Sequence, residues 1–130
     1  MNNGDLANIF VKNDYEFLKV ENKIVLDIGA NIGDTAIYFA TKGARKVIGI
    51  EPFHENFKIA QKNIAFNNFL NEIELVQAGC SSESGKIKIS TEDQSNIESV
   101  IKESETGEDI SLVSLKDIIE KYKIPKDSIL

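Results

Sequence analysis

A short glycine-containing segment, Asp27-Ile28-Gly29-Ala30-Asn31-Ile32-Gly33, has the residue types and spacing most suited to chemistry in this sequence. It follows an apolar run and precedes a predicted helix. Glycine permits a sharp turn and lets backbone N–H groups approach a ligand, and the first turn of a helix has N–H groups without intrahelical partners. Glu51 stands eighteen positions after Gly33, where a carboxylate can accept hydrogen bonds from both hydroxyls of a ribose. The spacing therefore predicts a site for a nucleotide-type cofactor.

The glycine spacing and the charge of this turn distinguish between cofactors. The dinucleotide fingerprint Gly-x-Gly-x-x-Gly, begun at Gly29, needs glycine at two positions where the sequence has Asn31 and Asp34. Asp27 and Asp34 would also repel an anionic pyrophosphate. S-adenosylmethionine has a sulfonium and an ammonium group and no phosphate, so the acidic turn favours it over NAD or FAD. An NAD-dependent oxidoreductase fragment is the less favoured alternative.

Three apolar runs predict the strands that position these residues. Residues 24–28, 47–50 and 73–76 are short, apolar and rich in β-branched side chains, which is typical of strands buried in a parallel sheet. Helical patterns separate them, and such alternation implies right-handed crossovers. The fold class predicted is α/β, a doubly wound parallel sheet. A cofactor would lie outside the carboxyl ends of the first two strands.

The boundaries of the two intervening helices are marked by capping and breaking residues. Asp34 or Thr35 is expected to cap the first helix, which Lys42-Gly43 ends. The second helix follows Pro52, a residue suited to the first turn of a helix, and ends at Asn67. Both helices therefore connect strands of the same sheet.

Beyond the third strand the pattern changes. Turn residues followed by alternating apolar and polar residues predict an inserted β-hairpin near residues 80–90. Residues 91–109 are polar and acidic, which is typical of a surface loop. Residues 110–113 are expected to form a short strand, and Ser114 with Asp117 predicts a capping box at the start of a last helix.

The composition is that of one globular domain and excludes several function classes. The chain has 130 residues, a net charge of −6 and a pI near 4.8, which argues against a nucleic-acid partner. Its apolar runs are far shorter than the roughly 18 to 20 residues that span a bilayer. The start of the chain has no signal-peptide pattern, so a cytoplasmic protein is expected. Cys80 and His54, the single residues of their types, cannot supply a structural zinc site, and no metal is expected.

The quoted residues resemble a known family. Val25-Leu26-Asp27-Ile28-Gly29-Ala30-Asn31-Ile32-Gly33-Asp34-Thr35 is similar to the first motif of FkbM-type S-adenosylmethionine-dependent methyltransferases, which are class I Rossmann-like enzymes. Glu51-Pro52 followed by Asn56-Phe57 resembles the second-strand signature of that family, and Val76-Gln77-Ala78 continues the similarity more weakly. The resemblance covers about residues 20–130. It implies a methyltransferase that uses S-adenosylmethionine and releases S-adenosylhomocysteine.

The resemblance also implies a role for each matching residue. Residues of the first motif would hold the methionine end of the cofactor, Glu51 would bind the ribose, and Phe53 would lie against the adenine. The backbone near the end of the third strand would lie at the adenine edge. The cofactor-binding residues predicted in this way are Asp27, Gly29, Ala30, Asn31, Gly33, Thr35, Glu51, Pro52, Phe53, Gln77 and Ala78. The acceptor implied is an oxygen of a small molecule or sugar, and no catalytic residue is identified.

The two ends of the chain carry further expectations. In the family, the segment after Ile124-Pro125 leads to a fourth strand with an acidic motif and to three more strands. This sequence stops at Leu130, which implies a domain incomplete at its C-terminal side, with the first strand as an edge that could form a homo-oligomer. A cofactor-binding fragment without independent activity is therefore an alternative. Residues 1–22 are expected to form an N-terminal extension or flap, with Tyr15 over the cofactor or the sheet, and residues 23–130 the cofactor-binding domain.

Overall fold

The computed structural model of the chain describes residues 6–12, 14–89, 107–126 and 128. Most of the loop predicted over residues 91–109 lies outside these ranges. Its last two residues, Glu108 and Asp109, belong to a strand and not to a loop. The strand is longer than predicted because the alternation of exposed and buried residues begins at Glu108.

Alternating strands and helices form the described part of the chain. The strands are β1 (Ile24–Ile28), β2 (Lys46–Ile50), β3 (Ile73–Val76), β4 (Gly79–Ser81), β5 (Gly85–Ile89) and β6 (Glu108–Ser114). The helices are α1 (Asp34–Thr41), α2 (His54–Phe66) and α3 (Leu115–Tyr122), with a π-helical segment at Ala7–Val11. Of these described helices, none is both long enough and apolar enough to cross a membrane.

The strands β1, β2 and β3 form a parallel sheet in that order. Ile28 pairs with Ile50, and Ile50 pairs with Val76, so the three carboxyl ends lie at one edge. This arrangement confirms the predicted α/β fold with a parallel sheet. Within the described residues β1 lies at the outside of the sheet. An oligomer formed through that strand stays a prediction.

Side chains on the two faces of this sheet enter separate apolar clusters. Val25 and Val47 pack with residues of α1 and with Ile9 of the N-terminal segment, which comprises the described residues 6–12 and 14–17. Their neighbours in sequence, Leu26 and Ile48, point the opposite way and pack near α3. Burial on both faces explains why these strands read as continuous apolar runs.

The region after β3 forms a second sheet whose pairing differs from the predicted hairpin near residues 80–90. Strands β4 and β5 do not pair with each other, because β6 lies between them, parallel to β4 and antiparallel to β5. The turn between β4 and β5 is held at the start of α3 instead. The Ser84 hydroxyl accepts a hydrogen bond from the Ser114 N–H at 2.8 Å and donates one to the Asp117 carboxylate. Ser114 also caps α3 by accepting from the Asp117 N–H, as predicted.

The start of α1 differs from the predicted cap. Gly33, and neither Asp34 nor Thr35, occupies the capping position, and it has a left-handed conformation with a φ of 84°. A side chain there would meet α2, because a Cβ on Gly33 would lie 3.2 Å from the Cβ of Ala60. Close packing of two helices therefore excludes a side-chain cap at this position.

Candidate functional site

The turn between β1 and α1 has backbone N–H groups that donate within the protein. The Gly29 and Ala30 N–H groups donate to the Ile50 carbonyl at 2.9 and 3.0 Å. The Asn31 N–H donates to Oε2 of Glu51 at 2.9 Å. These donors were expected to approach a ligand, but they form hydrogen bonds with the last residue of β2 and with the residue directly after it. Because an anion needs free donors at such a turn, the geometry is unfavourable for a pyrophosphate.

The turn is fixed on one side and open on the other. The Asn63 side-chain amide of α2 donates to the Ile32 carbonyl at 2.8 Å, and Gly33 contacts Ala60 closely. Gly29 has a φ of 82°, and no atom lies within 4 Å of the position that its Cβ would take. A left-handed conformation favours glycine, and the open space beside it leaves room for a ligand to approach the backbone.

Glu51 follows β2 and is buried, with only 3% of its surface exposed. Its Oε2 accepts from the Asn31 N–H at 2.9 Å, and its Oε1 accepts from the Phe53 N–H at 3.0 Å and from the Asn56 amide at 3.4 Å. Burial raises the pKa of Glu51, and these hydrogen bonds oppose the rise. A carboxylate has about four acceptor positions, so Oε2 retains room for one ribose hydroxyl. A second hydroxyl would have to displace the Asn56 amide.

Asp27 lies near the end of β1. The Thr35 hydroxyl donates to its Oδ2 at 2.6 Å. The pKa of Asp27 is raised to about 6, mainly by burial; the Thr35 hydrogen bond opposes this rise, and the negative charges of Asp34 and Glu51 add to it. A cation bound here would favour the ionised carboxylate, whereas a phosphate would oppose it.

A cleft of about 200 Å³ opens beside the turn. Its lining contains two aspartates and neither lysine nor arginine among the described residues. One wall comes from the N-terminal segment and the other from the turn and α1. The lining residues are Asn8, Ile9, Asp14, Tyr15, Gly29, Asn31, Asp34 and Thr35. In the part of the chain that the structure describes, no group of three or more His, Cys, Asp or Glu side chains is placed to bind a metal ion.

The residues predicted at the adenine end lie at the same edge of the sheet. The Glu51 N–H donates to the Val76 carbonyl at 3.0 Å, so the segments after β2 and β3 are adjacent. Pro52 and Phe53 are half-buried, and Gln77 is exposed with its side-chain amide nitrogen 3.3 Å from Nδ1 of His54. The Ala78 side chain instead packs in the core, which leaves its backbone as the only part that could reach a ligand.

Part of this site is formed by residues that no sequence pattern predicts. Asn8, Ile9 and Asp14 line the cleft but belong to a segment without the periodicity of a strand or an amphipathic helix. Asn56 touches Glu51, and its place in the Glu51-Pro52 signature was the available signal for that contact. Tyr15 was expected over the cofactor or the sheet, and its side chain lines the cleft and packs against the cluster that contains Val25 and Val47. Nothing in the spacing of Ile9 and Tyr15 indicates a cleft.

Comparison with known proteins finds methyltransferases. The family model described as the methyltransferase FkbM domain matches residues 27–130. The methyltransferase sdnD of Sordaria araneosa is 29% identical over 83 residues, which are 62% of this chain and 32% of that protein. Protein arginine N-methyltransferase 1 of Dictyostelium discoideum is 42% identical over 57 residues, which are 44% of this chain and 16% of that protein. The chain therefore spans a third or less of the length of these two relatives.

A solved structure shows the same fold over most of the chain. The methyltransferase FkbM of Methylobacillus flagellatus superposes with a TM-score of 0.58 and 18% sequence identity. The superposition covers 88% of this chain and 27% of that one. At this identity the match shows the architecture, which is the Rossmann-like fold predicted from the strand and helix pattern.

Proposed function

The chain belongs to the FkbM methyltransferase domain family, and we propose that it binds S-adenosylmethionine at the turn between β1 and α1 for methyl transfer. The observation that carries this proposal is the chemistry of the turn. Its backbone donors bond to the Ile50 carbonyl and to Glu51, and two carboxylates, Asp27 and Asp34, flank it. Such a turn suits a cofactor with positive charge and no phosphate. The NAD alternative would place a pyrophosphate against the same carboxylates.

The residues present fit the parts of this cofactor. Thr35 lines the cleft together with Gly29 and donates a hydrogen bond to Asp27, and the methionine end of the cofactor would lie there. Glu51 retains an acceptor position for a ribose hydroxyl, and Phe53 lies next to it at the start of α2. When bound, S-adenosylmethionine supplies a methyl group activated by its sulfonium. The protein's own part is to hold and orient, since alignment of the two reactants provides much of the rate in a displacement of this kind.

The proposed acceptor is an oxygen of a small molecule or sugar. The resemblance of the first motif and of the Glu51-Pro52 signature to FkbM-type enzymes supports this choice. We assign no general base. A second candidate is a cofactor-binding part that methylates nothing by itself, and the observation that favours it is the span of the chain, which covers 32% of the sdnD methyltransferase.

Binding and turnover assays test the proposal in two steps. Calorimetric titration with S-adenosylhomocysteine, after circular dichroism has shown a folded chain, tests the cofactor. Incubation with tritium-labelled S-adenosylmethionine and a panel of hydroxylated small molecules and sugars, with an arginine-containing peptide as a comparison, tests the acceptor. We expect binding, and transfer of a tritiated methyl group to an oxygen of the acceptor. Binding without transfer would support the second candidate, transfer to the peptide would contradict the oxygen acceptor, and absence of binding would contradict the proposal.

A further inference from the structure

The N-terminal segment is anchored against α1 by apolar and aromatic contacts. Ile9 is buried in the cluster that contains Val25 and Val47 of the sheet. The Tyr15 ring packs edge to face against Phe39 of α1, with ring centres 5.6 Å apart. Aromatic pairs of this geometry contribute beyond their buried area. The segment is therefore held at a fixed place beside the turn.

Backbone hydrogen bonds fold this segment back on itself. The Asp14 N–H donates to the Asn8 carbonyl at 3.2 Å, and the Lys12 N–H donates to the Ala7 carbonyl at 3.0 Å. These bonds bring Asn8 and Asp14 side by side, although six positions separate them. Both residues line the cleft, and Tyr15 lines it next to them. The segment thus presents polar groups across from the turn.

Asn31 connects this cleft to the other end of the site. Its N–H donates to Glu51, and the same residue lines the cleft together with Gly29 and Thr35. The cleft therefore begins beside Asn31, which bonds to the ribose position at Glu51, and reaches Thr35, the hydrogen-bond donor to Asp27. A cofactor whose ribose lies at Glu51 would extend its amino acid moiety into this cleft.

We propose that the N-terminal segment forms the second wall of the cofactor site, in which the Asp14 carboxylate accepts a hydrogen bond from the ammonium group of the cofactor's amino acid moiety. The inference rests on the proposed function and extends it to residues that precede the family match at residues 27–130. The Asp14 carboxylate has no hydrogen-bond or ion-pair partner among the described residues, and its side chain is exposed at the cleft. A charge-assisted hydrogen bond to an ammonium group is the contact that this carboxylate can make.

Two ligands that differ only in the amino acid moiety test the assignment. S-adenosylhomocysteine has this moiety, and 5′-methylthioadenosine lacks it. Asp14→Asn should weaken binding of S-adenosylhomocysteine about tenfold, which corresponds to loss of one charged hydrogen bond. It should leave the affinity for 5′-methylthioadenosine unchanged. Asp14→Lys should weaken S-adenosylhomocysteine further, because it places a like charge opposite the ammonium.

A matched control is available in the same segment. Glu16 is exposed and lines a different cavity, with Lys19 and Lys42, so Glu16→Gln should change neither affinity. Equal affinity of the wild type and Asp14→Asn for S-adenosylhomocysteine would overturn the inference, and so would equal losses for both ligands. Failure of the wild type to bind either ligand would overturn the proposed function itself, which keeps the two results distinguishable.

Discussion

Asp27 and Glu51 are carboxylates at the ends of neighbouring parallel strands, yet their surroundings differ. Glu51 accepts hydrogen bonds from two backbone N–H groups and from the Asn56 amide. Asp27 accepts one hydrogen bond, from Thr35, and burial raises its pKa to about 6. Hydrogen bonds from the protein therefore stabilise the Glu51 carboxylate, whereas the ionised Asp27 carboxylate receives only one such bond.

This difference separates structural from ligand-directed roles. Glu51 joins the turn after β1 to the start of α2, so its carboxylate supports the fold in addition to its proposed contact with a ribose. Asp27 destabilises the unliganded protein when it is ionised, and a cationic ligand would relieve that destabilisation. Substitutions at the two positions should consequently have opposite effects on stability.

The largest expected effect is at Glu51. Glu51→Ala leaves the Asn31 and Phe53 N–H groups without their acceptor, and each such loss costs about 1 to 3 kcal/mol. We expect the free energy of unfolding to fall by about 3 kcal/mol and S-adenosylhomocysteine binding to weaken strongly. Urea denaturation measures the first effect. Glu55→Ala, at an exposed residue paired with Lys58 on α2, is the control and should change stability by less than about 0.5 kcal/mol.

Asp27→Asn should raise the free energy of unfolding, in contrast to Glu51→Ala. Because the pKa of Asp27 is raised from 3.8 to about 6 in the folded protein, its stabilising contribution is complete below pH 3.8 and is lost as the pH rises through about 6. The substitution should therefore stabilise the unliganded chain by about 2 to 3 kcal/mol at pH 8. It should have almost no effect near pH 4. Urea denaturation of both proteins at the two pH values checks this, and a loss of stability at pH 8 would contradict it.

Ligand affinity should depend on the ionisation of Asp27. Protonation removes the charge that favours a cationic ligand, so affinity should fall as the pH decreases through about 6. We expect binding of S-adenosylhomocysteine to be about tenfold weaker at pH 5 than at pH 7.5. At pH 5 the Asp27 carboxyl of the free protein is mostly protonated, and it must release this proton when the ligand binds. Calorimetry across this range measures it. Asp27→Asn should flatten the profile, and an equally steep profile in that variant would assign the titration to another group.

The smallest expected effect is at Asn56, which forms the longest of the three hydrogen bonds to Glu51. The Asn56 amide lies 3.4 Å from Oε1, so Asn56→Ala should cost only about 0.5 kcal/mol of stability. It frees an acceptor position for a second ribose hydroxyl, and the affinity for S-adenosylhomocysteine should be unchanged or higher. Parallel denaturation and titration check both expectations. A marked loss of affinity would show that Asn56 itself contacts the ligand.

Local sequence patterns predict the parts of the fold in which burial alone determines structure. The run at residues 73–76 forms β3 with the predicted boundaries, and Lys42-Gly43 ends α1 as expected. The family match confirms the methyltransferase family that the first motif indicates. The predicted pairing of the second sheet was wrong because its central strand is β6, which pairs with β4 from more than thirty residues away in the chain. Loop closure over such a distance leaves no local pattern.

In the candidate site, too, local patterns predict some features, whereas others depend on contacts between distant parts of the chain. Glycine spacing and charge located Asp27, Gly29 and Glu51, since these depend on the strand ends. The hydrogen bonds from the turn's N–H groups to Ile50 and Glu51 depend on the relative positions of β1 and β2 at their carboxyl ends. Local sequence patterns do not predict these positions. The roles of the cofactor-binding residues, Gln77 included, stay predictions that the experiments above address.

Parallel titrations of the folded chain with S-adenosylhomocysteine and with NAD test the central claim most directly. The claim is that an acidic turn with internally bonded donors selects an adenosine cofactor that has an ammonium group and no phosphate. It predicts one-to-one binding of S-adenosylhomocysteine, lost in Glu51→Ala, and no binding of NAD. Binding of NAD, or binding of neither ligand by a folded chain, would contradict it.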